Sequence, residues 1–166
     1  QGIGTKFTVD LSFDIASKEE VYGNQNAMKP PAIHTIKGTR ILLVEDNELN
    51  AEIAKTVLED DGALVTRVGD GQQAVELFKE KPAGTFDVIL MDLMMPVMDG
   101  YTATKKIRSL ERLDAKTIPI IAMTANAFQE DAEKCIAVGM NAHLAKPLDI
   151  EKVMITICHL VKKKNE

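Results

Sequence analysis

The chain has 166 residues, enough for one domain with a solid core and a short appendage. Hydrophobic residues make up 45% and charged residues 27%, an ordinary balance for a soluble globular protein, and the formal net charge is -5. That sign argues against non-specific nucleic-acid binding, because no basic field would gather phosphates, and no apolar stretch reaches the length of a membrane span or reads as a signal peptide.

Residues 1–38 differ in kind from the rest. Phe7-Thr8-Val9-Asp10-Leu11 alternates like a single strand, whereas residues 16–38 are polar, with Asn24-Gln25-Asn26 and Pro30-Pro31, and read as a linker. One strand cannot fold by itself, so it is expected to belong to a missing domain or to lie disordered. The chain opens on Gln1 rather than Met, and an excerpt of a longer polypeptide is therefore expected.

From Thr39 onward, short β-branched runs alternate with amphipathic stretches. Strands are predicted over 40–45, 63–68, 86–91, 118–123 and 142–145. The first helical stripe is Leu49, Ile53, Val57 and Leu58, ended by Gly62; the second is Ala74, Leu77 and Phe78, opened by Asp70-Gly71 and stopped near Pro82. Ala103, Ile107 and Leu110 make the third stripe. Phe128, Ala132, Cys135 and Ile136 make the fourth, closed by Gly139, and Ile150, Val153, Ile157, Leu160 and Val161 the fifth. Cys135 and Cys158 fall in these patterns without metal-ligand spacing and read as buried free thiols. Lys162-Lys163-Lys164 reads as a solvated tail.

Five β-α units with continuous apolar strands imply an α/β fold with a parallel sheet covered on both faces. Strands 1 and 3 carry acids at their ends, so they should be neighbours. That favours a flavodoxin-like (βα)5 doubly wound sheet of order 2-1-3-4-5, with an N-terminal extension and a ligand at the switch point.

The polar residues collect at carboxyl ends of strands. Ile41-Leu42-Leu43-Val44 runs into Glu45 and Asp46, and Phe86-Asp87-Val88-Ile89-Leu90-Met91 runs into Asp92. Two further strands end in Met123-Thr124 and Leu144-Ala145-Lys146. Carboxylates packed together repel and need a divalent cation to lie close at neutral pH. All-oxygen ligation suits Mg²⁺ or Mn²⁺ rather than Zn²⁺. A carboxylate is also a workable nucleophile toward phosphorus, given positioning and cationic neighbours. Asp46 can hold the metal, Glu45 the metal or its waters, Thr124 can donate a hydrogen bond, and Lys146 can pair with a phosphoryl oxygen.

Each residue alone has a plainer explanation. Glu45-Asp46 before Asn47 could cap the first helix, Thr124 could cap one starting near Asn126, and Lys146 could be surface charge. Their convergence on one sheet edge favours a site. A flavin-phosphate binder on the same architecture would need a Ser/Thr/Gly loop after strand 1, where Glu45-Asp46-Asn47 would repel the phosphate. An aspartate-nucleophile phosphatase usually has a second acid two residues past the first, where Met94 stands.

Residues 39–163 resemble a response-regulator receiver domain over that domain's full length. The motifs are Ile41 to Asn47, Val88 to Gly100, Ile120 to Ala125 and Gly139 to Pro147. The resemblance implies that Asp92 is the phosphoacceptor and that Glu45, Asp46, Asp92 and the backbone carbonyl of Met94 serve the metal. It also implies that Thr124, the amide of Ala125 and Lys146 bind the phosphoryl group, and that the Lys146–Pro147 bond is cis. The family often has Tyr or Phe three residues before the lysine, a side chain that turns inward when the threonine moves. Here that residue is His143, which leaves the switch role open and phosphorylation itself intact.

Gly2-Ile3-Gly4-Thr5-Lys6-Phe7-Thr8-Val9-Asp10-Leu11 is similar to the last glycine box and final strand of a histidine-kinase ATPase domain, with Ser12 where that pattern usually has Pro. The implied order is a remnant of that domain in 1–15, a linker in 16–38 and a receiver in 39–163. This is the arrangement of a hybrid sensor kinase; a stand-alone single-domain response regulator is the alternative. The fragment would catalyse only its own aspartyl phosphorylation and dephosphorylation and would not bind ATP, while the parent would be a histidine kinase. Expected partners are a phosphohistidine domain of the kinase or a His-containing phosphotransfer domain, with no nucleic acid and no membrane contact by this fragment. Expected localisation is cytoplasmic, with a parent that is free or membrane-anchored. Oligomeric state stays open between a monomer and a homodimer through the family's fourth helix, fifth strand and fifth helix.

Overall fold

Short aliphatic runs become the strands β1 (Arg40–Val44), β2 (Leu64–Val68), β3 (Val88–Asp92), β4 (Ile120–Thr124) and β5 (Ala142–Ala145). The computed structural model describes residues 35–125 and 129–164; the expected remnant strand and linker residues 16–34 lie outside them. All strand pairings are parallel, and the order is β2-β1-β3-β4-β5. The helices are α1 (Glu48–Asp60), α2 (Gly71–Glu80), α3 (Gly100–Ser109), α4 (Leu113–Thr117), α5 (Gln129–Ala137) and α6 (Ile150–Lys164). This is the doubly wound, flavodoxin-like sheet that the alternation of patterns implies.

Successive side chains of a strand face opposite sides, so the sheet divides the core in two. On one side Leu42, Ile89 and Met91 meet Phe78 of α2 and Ile107 of α3. On the other, Leu43, Leu90 and Met123 meet Leu58 of α1 and Ile157 of α6. Every residue of β3 and β4 is buried, which is why these strands read as unbroken apolar runs, whereas the edge strands β2 and β5 are only partly covered. Each fully buried aliphatic side chain here stabilises the fold by about 1.5–3 kcal/mol.

The structure moves several boundaries. β3 starts at Val88 rather than 86, because Asp87 is used at the strand's entrance. Its amide donates to the Arg40 carbonyl at 2.8 Å, and its carboxylate accepts from the Arg40 amide and guanidinium. The shift carries Asp92 inside the strand. β4 likewise starts after Pro119, which has no amide to give to a ladder, and includes Thr124. The sequence did not foretell α4: five residues are too few for a periodic signal. Arg112 fixes it, donating to the Phe78 carbonyl at 2.6 Å and lying 4.6 Å over the Phe78 ring.

Two helices present different faces from those expected. In α1 the buried residues are Ala51, Ala54 and Leu58, while Leu49 is 69% and Ile53 54% exposed. The small alanines let the helix approach the sheet closely and turn the larger side chains outward. In α5, Cys135 is buried but Ile136 is exposed; Phe128 lies outside the described residues. Cys135 and Cys158 are both buried free thiols. Ile36, grouped with the linker by composition, is also buried, and its amide donates to Asp61 at 3.0 Å. Among the described residues, no helix is long and apolar enough to cross a membrane.

Candidate functional site

The site lies where β1 and β3 end side by side, with Val44 opposite Met91. Glu45 leaves β1 directly and Asp92 closes β3. Neither Glu45 nor Asp46 caps α1. Asn47 does so, its side-chain oxygen accepting from the Asn50 amide at 3.0 Å, which frees both acids for other work. Glu45, Asp46 and Asp92 each offer a carboxylate oxygen, and these atoms all lie within 4.8 Å of one another. Glu45 is 2% and Asp92 5% exposed, while Asp46 faces solvent.

Lys146 follows β5 and closes the cluster. Its ammonium donates to Glu45 Oε2 at 2.5 Å and Asp92 Oδ2 at 2.6 Å. Its backbone amide donates to the Thr124 carbonyl at 2.7 Å, so the end of β4 fixes the chain from which the lysine reaches. Burial works against the ammonium charge, but the hydrogen bonds and charges of Asp92 and Glu45 outweigh it and hold the pKa above the ordinary lysine range. The Lys146–Pro147 bond is cis.

The other Asp92 oxygen, Oδ1, accepts the Met94 amide at 3.1 Å, which places the Met94 main chain beside the acids. Thr124 ends β4 one strand over, buried, and Ala125 follows it exposed. His143 lies on the edge strand β5 opposite Ala122 and is exposed. The structure thus gathers Glu45, Asp46, Asp92 and Lys146, sets Thr124 and Met94 beside them, and leaves His143 at the sheet edge.

The loop after Asp92 is tightly held. The Met98 amide donates back to the Pro96 carbonyl at 2.7 Å, with Val97 between them at φ 65°, a strained conformation for a β-branched residue. The Gly71 amide of α2 donates to the Met98 carbonyl at 3.2 Å, and the Gly100 amide to the Leu93 carbonyl at 3.1 Å.

Two contacts had no counterpart in the sequence reading. Asn50 donates to Glu45 Oε1 at 3.3 Å, and Arg67 on β2 reaches the main-chain carbonyls of Glu45 and Asp46. For Arg67 a signal existed: a cation next to the end of the strand that flanks β1. Beside the acids, a groove of about 220 Å³ runs between α1 and the β5–α6 loop, lined by Glu45, Asn50, Ile53, Lys146, Pro147 and Leu148.

Chemically, three carboxylates against one ammonium leave an excess of negative charge in a small volume. The donors are all carboxylate oxygens, the set that a small hard dication takes, and the residues present fit Mg²⁺.

A family model described as response regulator receiver domain matches residues 41–157. A relative from Oryza sativa subsp. indica, probable histidine kinase 2, is 34% identical over 165 residues; the match covers 93% of this chain and 16% of that protein. The crystal structure of the receiver domain of sensor histidine kinase PA1611 from Pseudomonas aeruginosa, with a magnesium ion coordinated in its active site cleft, is similar at TM-score 0.68 and 42% identity, covering 75% of this chain and 98% of that one. A Saccharomyces cerevisiae receiver domain, that of the response regulator Ssk1 in co-crystal with the histidine phosphotransfer protein Ypd1, is similar at TM-score 0.66 and 32% identity, over 73% of this chain and 87% of that one.

Proposed function

Because the chain belongs to the response regulator receiver domain family, we propose that it takes a phosphoryl group from a phosphohistidine onto Asp92 within a phosphorelay. The observation that carries this reading is the meeting of Glu45, Asp46, Asp92 and Lys146 at one sheet edge. Glu45, Asp46, Asp92 and the Met94 carbonyl would hold Mg²⁺, with Mn²⁺ as a substitute of the same chemistry. When bound, the ion neutralises the acids and the phosphoryl oxygens.

An Asp92 carboxylate oxygen attacks phosphorus in line with the phosphorus–nitrogen bond. The new oxygen–phosphorus bond forms as the old bond breaks, and its electron pair returns to the imidazole, which leaves neutral with its other nitrogen protonated. Lys146 exchanges its bond to Asp92 for one to a phosphoryl oxygen, one anionic partner for another, and so keeps its charge. Thr124 and the Ala125 amide take the remaining oxygens. Hydrolysis reverses the linkage, with water as the attacking group and the Asp92 carboxylate leaving. His143 is a candidate switch residue at β5, read through Thr124.

The phosphohistidine donor or acceptor would lie over the groove beside the acids. Ile53 of α1 is an exposed apolar side chain lining that groove, and Leu49 of the same helix and Met94 and Val97 of the loop after Asp92 are exposed as well. A helix presenting a histidine between apolar residues suits such a surface, and a phosphotransfer protein is bound to the Ssk1 receiver in its co-crystal. A hybrid sensor kinase is the parent we propose. The rice kinase match covers more of this chain than residues 35–166 could supply, so it extends upstream of the receiver, where residues 1–15 would be the end of the ATPase domain and 16–38 a linker.

The test is chemical. Incubation with acetyl phosphate and Mg²⁺ gives a hydroxylamine-labile acyl phosphate that Asp92→Asn lacks. Label that survives in this variant, or none in the unmodified chain, defeats the proposal.

A further inference from the structure

Arg67 is the second-last residue of β2, opposite Leu43 of β1. The backbone ladder between these strands ends with the Glu45 amide donating to the Val68 carbonyl at 3.2 Å. Beyond that point β1 leaves the sheet, and a side chain takes over from the ladder. Arg67 Nη2 donates to the Glu45 carbonyl at 3.1 Å and the Asp46 carbonyl at 3.3 Å, and Nε adds a bond to the Glu45 carbonyl at 3.3 Å. One planar group thus spans two successive peptide units. Those units decide that Glu45 points into the buried cluster and Asp46 faces solvent beside it.

We propose that Arg67 is a positioning residue for the divalent cation, holding the β1–α1 turn so that Glu45 and Asp46 converge with Asp92. The inference rests on the receiver reading given above and adds a residue to it. Two effects of the guanidinium compete. Its charge opposes a nearby dication, while its hydrogen bonds remove freedom from two ligands at once. Arg67 is exposed and binds carbonyls rather than carboxylates, so solvent and salt screen the repulsion. Orientation of the ligands is not screened, and it decides the sign.

The experiment is a MgCl₂ titration of the full 166-residue chain, followed by amide NMR shifts in the β1–α1 turn, for the unmodified protein, Arg67→Gln and Arg67→Lys. Arg67→Gln weakens Mg²⁺ binding about tenfold, as the loss of a group orienting metal ligands usually does. Arg67→Lys, which keeps the charge and one reach to the carbonyls, recovers part of that loss. With acetyl phosphate, Arg67→Gln needs more Mg²⁺ for half-maximal labelling but reaches a near-normal rate at saturation. Mg²⁺ binding in a folded Arg67→Gln that equals or exceeds the unmodified protein's overturns the inference, and so does a fall in melting temperature with unchanged affinity. Should Arg67→Gln not fold, Arg67→Lys alone decides, and binding in it as tight as in the unmodified chain with one carbonyl bond lost overturns the inference too. Absence of a saturable Mg²⁺ shift in the unmodified chain overturns the receiver reading itself, a result distinct from any of these.

Discussion

At the scale of single residues, charge placement sets the chemistry. Lys146 spans Glu45 and Asp92, so one ammonium opposes three carboxylates and the deficit invites a dication. A different ion pair lies at α4. Arg112 donates to both Asp114 oxygens at 2.6 and 2.7 Å, and these bonds hold the carboxyl below its usual range; burial opposes them, and the Gly84 amide assists. A carboxyl whose folded pKa lies below its unfolded value, about 3.9, contributes stability above that value and loses it as pH falls through the folded one. Asp114→Asn therefore unfolds less steeply with acid below about pH 4, measured as denaturant midpoint against pH; parallel curves for the two proteins would count against the pair. Asp92, Glu45, Asp46 and Lys146 were legible in the sequence because each stands at the end of an apolar run, where an ionisable side chain needs a polar partner or water. Asn50 was not, and Arg67 only as a cation near a strand end, since the carbonyl and carboxylate partners of both are fixed only by folding.

At the scale of elements, the approach of α3 to β3 matters most. A side chain at Gly100 would place its Cβ 2.2 Å from the Asp92 carbonyl and 3.0 Å from Met91 Cγ. Gly100→Ala must push the helix start away from the strand end, at about 1–3 kcal/mol. We expect a lower melting temperature and slower labelling of Asp92 by acetyl phosphate at saturating Mg²⁺; a variant that melts and labels like the parent removes this account of the glycine. The strands were readable because their buried runs are unbroken. The face of α1 was not, because Ala51 and Ala54 carry little apolar signal next to Leu49 and Ile53, yet they are what touches the sheet. Nothing periodic marks α4, which is held by Arg112 rather than by a stripe of its own.

At the scale of the molecule, the acid cluster and the surface proposed for the partner are neighbours. Strand ends make the acid site, and Asn50, Ile53 and Val57 of α1 line the groove next to it. Ile53→Lys should leave labelling by acetyl phosphate unchanged while slowing transfer from a phosphohistidine protein about tenfold, the loss of roughly 1.4 kcal/mol at an apolar contact. Equal slowing with both donors would place Ile53 in the fold rather than at the partner. The order 2-1-3-4-5 followed from two acid-tipped strands needing to be adjacent, and the structure has that order.

Because the sheet separates two packed halves, changes on the α1–α6 side and on the α2–α3 side have few shared neighbours, and their effects on stability should add. A double variant with one substitution in each slab should therefore lose the sum of the two single losses. The five-stranded wall thus works as a mechanical partition, and a cavity opened behind it should leave the acid cluster in front where it is.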